Sequence, residues 1–119
     1  LVGRINSYNQ LQSSGLSPTV AARVTNANTG LYTVPAGKKA RVTSITLNLN
    51  AVGADATYAV AIKRGATFTP VGLHVGVNGL SVFNGVMMLD AGDIVTNLGD
   101  AGATNGTCDM STTFQEYDV

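Results

Sequence analysis

Between Leu31 and Asn50 the chain runs through a short extended segment, a Pro35-Ala36-Gly37 turn and a strongly alternating strand. From Ile45 onward Ile45, Leu47, Leu49 and Ala51 point one way, and Thr46, Asn48 and Asn50 point the other. A period of two makes one face of a pleated strand apolar and the other polar, which a helix cannot do. Pro35 presets φ near a corner, and Gly37 accepts the positive φ that a side chain opposes. The segment therefore predicts an antiparallel sheet covered on one side only.

The rest of the chain repeats this grammar, with short apolar runs alternating with turn signals at sandwich or barrel spacing. Expected strands are 19–25, 30–34, 40–51, 57–64, 71–77, 80–89, 93–98 and 107–117. Asn78-Gly79 between Val77 and Leu80 predicts a two-residue hairpin. No segment of ten or more residues carries helical periodicity. The expectation is an all-β antiparallel β-sandwich of about eight strands, jelly-roll-like, formed by residues 18–119. Its core is expected to include Ile45, Leu47, Leu49, Tyr58, Val60, Ile62, Leu73, Val75, Met110 and Phe114. Cys108 falls on the apolar face of the last strand and reads as a buried, inert thiol.

Residues 1–17 lack a period of either kind and read as an extended N-terminal arm. Leu1, Val2, Ile5, Tyr8, Leu11 and Leu16 give that arm something to bury on a neighbour. A start at Leu1 without Met points to processing or to an unobserved beginning. No apolar run approaches the roughly 20 residues of a membrane helix and no basic-then-apolar signal segment is present, so the reading is a soluble protein with no membrane partner.

Composition limits the chemistry. Charged residues are 12% of the chain, against about a quarter in an average soluble domain, and the mean hydropathy is +0.19. Net charge is zero, but its distribution is uneven. Seven Lys and Arg lie in residues 1–64 against Asp55 alone, giving +6, and the six later acids give −6. Two readings stand: early and late strands interleave so that the charges cancel within one molecule, or opposite patches face each other across protomers.

No constellation supports catalysis. His74 shares a face with Gly72 and Gly76, with no placed partner for general base work and no companion ligands for a metal. None of the serines sits in a Gly-x-Ser-x-Gly elbow. Gly37-Lys38-Lys39 leads into a strand, not into the helix a phosphate loop requires. Asp90-Ala91-Gly92-Asp93 and Asp100 lack the further oxygen ligands of a calcium site, and read as solvated turns. Asn105-Gly106-Thr107 fits a glycosylation acceptor only as a coincidence of an Asn- and Gly-rich loop. Lys38, Lys39, Arg41, Lys63 and Arg64 bring cations together, but neutral charge and few aromatics argue against nucleic acid. The absence of Trp weakens a lectin reading. The expectation is a protein without catalytic residues, cofactor or metal.

Leu31-Tyr32-Thr33-Val34-Pro35-Ala36-Gly37, followed by Asp90-Ala91-Gly92-Asp93 before a late strand, resembles a group of small β-sandwich virion proteins of tailed bacteriophages, of the head decoration (cement) type. The resemblance covers about residues 30–118. It implies a non-enzymatic structural protein on the outer surface of the capsid, bound to the major capsid protein and stabilising the shell. Similar sandwiches serve as tail or fibre-tip domains for host attachment, which is the alternative. By the same resemblance, a homotrimer at local threefold positions is expected. Arg4, Ile5, Tyr8 and Leu11 of the arm, with Arg23 and His74, are the expected subunit or capsid interface.

Overall fold

The computed structural model describes residues 18–26, 29–51, 56–99 and 105–119, and these form eight strands with no helix. They are β1 (Thr19–Asn26), β2 (Gly30–Thr33), β3 (Lys38–Ala51), β4 (Tyr58–Arg64), β5 (Thr67–Pro70), β6 (Leu80–Asp90), β7 (Ile94–Gly99) and β8 (Asn105–Asp118). One sheet has the order β1-β8-β3-β6 and the other β2-β7-β4-β5, and every pairing is antiparallel. β1 pairs β8, β2 pairs β7, β3 pairs β6 and β4 pairs β5, as if one long hairpin had been rolled up. That nesting across two packed sheets is a jelly roll.

Alternation sets the register. On β3, Ala40, Val42, Ile45, Leu47 and Leu49 are buried, and on β8 Cys108, Met110, Thr112 and Phe114 face them from the same side. The opposing sheet contributes Tyr58, Val60, Ile62 and Val95. Eight of the ten expected core residues are buried, whereas Val75 is only partly so. Leu73 is the exception at 82% exposed. Cys108 is buried as expected; its thiol sits 3.9 Å from the Asn97 amide and burial raises its pKa.

Leu73 fails because the expected strand 71–77 is not a continuous one. β5 forms earlier, at Thr67–Pro70, within the stretch expected to be a loop. The chain then continues beside β4 with only intermittent pairing: Val71 donates to Val60 O at 2.9 Å, and Val75 pairs with Tyr58. Between them the ladder is replaced by a side chain. Ser81, from the other sheet, accepts from Val60 N at 3.2 Å and donates to Leu73 O at 2.6 Å. Gly72 makes this possible, since a Cβ there would lie 2.6 Å from Val60 Cγ2 and 2.8 Å from Ser81 Oγ. The two residues that follow swing outward, leaving Leu73 and His74 in solvent.

The predicted Asn78-Gly79 hairpin is also corrected. Gly79 N bonds Gly76 O at 2.8 Å, and Asn78 takes φ +65° while Val77 does not take a positive φ. This places Asn78 at the third position of a four-residue turn, as in type II geometry, and not in a type I′ hairpin. Asn78 N and Gly79 O then bond the backbone of Leu49 instead of a preceding strand.

Ser81 is a sharp test of this arrangement. Ser81→Ala leaves the buried Val60 N–H and the Leu73 C=O without their bridge. The expected cost is about 1–3 kcal/mol of stability, read as a lowered midpoint in denaturant unfolding with an unchanged slope.

Candidate interaction surface

The two sequence motifs meet at one end of the sandwich. In the first, Lys38 N bonds Pro35 O at 3.2 Å with Gly37 at φ +77°, so Pro35 opens the turn rather than occupying its corner. In the second, Asp93 N bonds Asp90 O at 3.0 Å with Gly92 at φ +89°. Both turns place glycine where only a residue lacking Cβ is unstrained. They are joined by the backbone of Val34, which donates to Asp93 O and accepts from Gly92 N, each at 2.9 Å.

Asp93 fixes the second turn from inside. Its residue is 3% exposed, and its carboxylate accepts from Asp90 N at 2.8 Å and from both Arg64 Nε and Nη2. Arg64, held on β4, also reaches Asp90 at 3.4 Å, and Lys39 approaches Asp90 at 3.6 Å. The Arg64 hydrogen bonds, outweighing burial, hold the Asp93 carboxyl below its ordinary pKa. Among the described residues this carboxylate is committed to a structural fork and not to a solvated turn.

The remaining ion pairs have the same form. Arg23 forks Asp109 at 2.8 and 3.1 Å, Asn50 donates to the same carboxylate at 3.0 Å, and Lys38 bonds Asp118. Each described pair joins a base before residue 65 to an acid after it, within one chain. The interleaving reading of the charge asymmetry therefore holds for these pairs, and Arg23 is occupied by its own chain. Lys63 lies 5.2 Å over the Phe68 ring. Tyr32 stacks on Phe114 with centroids 4.0 Å apart and donates to Glu116 at 2.6 Å. Burial, then Glu116, push its phenol well above the usual value.

The outer face of the first sheet is graded. Across β1, β8 and β3 it is hydroxyl- and amide-rich, with Thr46 bonded to Ser111 at 2.6 Å and Thr19 to Thr113 at 2.9 Å. At β6, the edge strand, it turns apolar: Leu80, Val86 and Met88 are 61%, 60% and 49% exposed. Leu73 and Val77, on the segment that precedes β6, are also exposed. Beside that edge a groove of about 270 Å³ opens between the sheets, lined by Ile62, Arg64, Thr69, Val71, Met87, Met88 and Leu89.

The expected interface residues are distributed unevenly. Arg4, Ile5, Tyr8 and Leu11, like the whole arm, lie outside the described residues. His74 is exposed on the 71–79 segment near Leu73, while Arg23 lies on the far edge strand, so the two are not brought together. Sequence reasoning missed the β6 surface. Its signal was present in Leu80–Leu89, where Leu80, Val82, Phe83, Val86, Met87, Met88 and Leu89 place apolar side chains on both faces, unlike the clean alternation of β3.

The geometry defines the class as an eight-stranded jelly-roll sandwich with one apolar edge. No protein-family model matches the chain and no curated protein matches it. Among solved structures it is similar to one described as Bacillus endospore appendages that form a family of disulfide-linked pili, at 22% identity over 87% of this chain and 88% of that chain, with a TM-score of 0.49.

The fork is testable by pH. Because the folded pKa of Asp93 is lowered, its stabilisation is complete above the ordinary value of 3.8 and disappears as pH falls through the folded value. Asp93→Asn should cost about 1–3 kcal/mol near neutrality. The gap between variant and parent in thermal unfolding should close progressively below pH 3.8. A constant gap down to the most acidic pH would contradict the fork.

Proposed function

We propose that this chain is a decoration (cement) protein of a tailed-bacteriophage capsid, bound to the outside of the shell. The observation that carries the reading is the junction of the two motif turns. The Leu31–Gly37 and Asp90–Asp93 segments, which carry the resemblance to small phage virion proteins, bond each other through Val34 and close one end of a jelly roll. The motif is thus a folding device, and function falls to the surfaces that the sandwich presents.

Those surfaces suit a brace between capsid subunits. Four bases and four acids of the described residues are paired within the chain, and the face of β1, β8 and β3 offers hydroxyls and amides for many modest contacts. Repeated over linked protomers, contacts too weak singly become durable through effective concentration. The reading includes a homotrimer, in which residues 1–17 cross onto a neighbouring protomer or onto the major capsid protein.

Imaging of virions carrying a tagged copy tests this directly. Label on the head faces is expected; label confined to the tail would replace the reading with host attachment by a tail or fibre-tip domain. Deleting residues 1–17 should leave the sandwich folded, with its thermal midpoint little changed, and should weaken oligomerisation or shell binding by at least tenfold.

A further inference from the structure

We propose that the open edge of β6, with the groove beside it, is the acceptor for residues 1–17 of a second copy of this chain, which add a fifth strand to the β1-β8-β3-β6 sheet. The proposal deepens the arm of the proposed function by naming its acceptor.

The acceptor is argued from edge chemistry. β6 is eleven residues long and pairs only with β3 among the described residues. Its outer backbone groups are a template for another strand, which soluble proteins normally block with charge, proline or shortness. From Leu80 to Leu89 there is neither a charge nor a proline, and the bulge at Gly85–Val86 divides the edge into two regular runs, Leu80–Asn84 and Met87–Asp90, that remain open to pairing. The other edges are poorer. β2 and β5 have four residues each, and β5 ends on Pro70, which donates no hydrogen bond. β1 exposes Ala21 and Ala22 but no large apolar side chain. Among the described residues β6 alone combines length, open backbone and large exposed apolar side chains, and a groove lined with Ile62, Val71, Met87 and Leu89 lies beside it.

The occupant is argued from charge, length and exit point. Residues 1–17 hold one charge, Arg4, and no acid, so nothing in them opposes the uncharged edge or Asp90 at its end. As a strand, the segment would put Ile5 and Leu11 on one face, of a size to enter the groove, and Tyr8 on the other, over Val86 and Met88. Fully extended, seventeen residues reach about 56 Å, more than the roughly 36 Å of an eleven-residue strand. They join the described chain at Pro18, whose carbonyl accepts from Phe114 N at 3.1 Å beside β1. That is the edge of the sheet opposite β6, three strand spacings or about 14 Å away. To reach its own β6, the segment would have to reverse and cross the sandwich; to reach another copy's, it continues outward. Backbone pairing then supplies affinity, and the apolar side chains supply register.

Donor and acceptor lie on opposite edges of one sheet, so the contact is head-to-tail. Exchanged between copies, such a contact closes as a reciprocal dimer or a ring, or runs on as a filament. A trimer is the three-copy ring.

Disulfide trapping in the full chain tests this without a capsid, so its failure is separable from an error in virion location. Ile5→Cys, Tyr8→Cys and Leu11→Cys are each mixed with a second copy bearing Val86→Cys or Met88→Cys, with Cys108 buried in both. Cross-links between differently marked copies in at least one combination are expected. The proposal is overturned if no combination links, if Met88→Cys links to itself as readily as to the arm, or if a doubly substituted chain at low concentration links only within itself. A Val86→Lys/Met88→Lys variant should unfold at the parent temperature and self-associate at least tenfold more weakly by light scattering. Unchanged association in that variant also overturns it.

Discussion

Everything else in this sandwich is hung on the ladder between β3 and β8, each fourteen residues long and paired from Lys38–Asp118 to Ala51–Thr107. An antiparallel ladder of that length fixes which side chains face inward on both strands, because a one-residue slip would turn Ile45, Leu47 and Leu49 to solvent. β6 and β1 are then added on either flank of a register already set. The second sheet needs only to present Tyr58, Val60, Ile62 and Val95 to the resulting apolar face. Shifts in the ladder at Val42/Ser44 and Leu49/Ala51 bend the long strands without changing the buried side.

A rolled hairpin brings the first part of the chain against the last, and this explains the charge pattern. Arg23, Lys38, Lys39 and Arg64 meet Asp109, Asp118, Asp90 and Asp93 because β1 and β3 lie beside β8 and β6, and the end of β4 reaches the β6–β7 turn. Exposed pairs of this kind add little stability. Asp93 differs because its carboxylate is enclosed and also holds a backbone N–H, so its loss would leave buried groups unpartnered. Charge polarised along the sequence becomes charge cancelled in space.

Legibility in the sequence followed the strength of alternation. β3 and β8 read clearly because Leu47, Leu49, Met110 and Phe114 alternate with polar residues over many positions, and only one face is covered. The Val71–Val77 segment has the same alternating look, yet two forces override it. Gly72 lets the chain approach Val60 closely, and Ser81 takes over the hydrogen bonds that a neighbouring strand would have made. Neither shows in the alternation; both depend on partners outside the segment, Val60 and Ser81. Thr67–Pro70 was obscured for a different reason, since Gly65 and Pro70 look like loop punctuation although Pro70 simply ends an edge strand. Of the expected interface, Arg23 was readable as a charge but not as one already paired.

The β6 edge shows how a jelly roll concentrates its liabilities. Rolling a hairpin leaves four edges, and here three are short or nearly free of large exposed apolar side chains. The fourth carries Leu80, Val86 and Met88, where a sheet of otherwise hydroxyl-rich outer surface changes character over a single strand. Burying such side chains is worth roughly 1.5–3 kcal/mol each when complete, which a monomer forgoes by leaving them in water. Four of its bases and four of its acids are engaged with each other, which leaves shape and open backbone as the stronger contrasts between its surfaces. That makes the open strand, rather than the polar face, the feature that distinguishes one side of this molecule from the other.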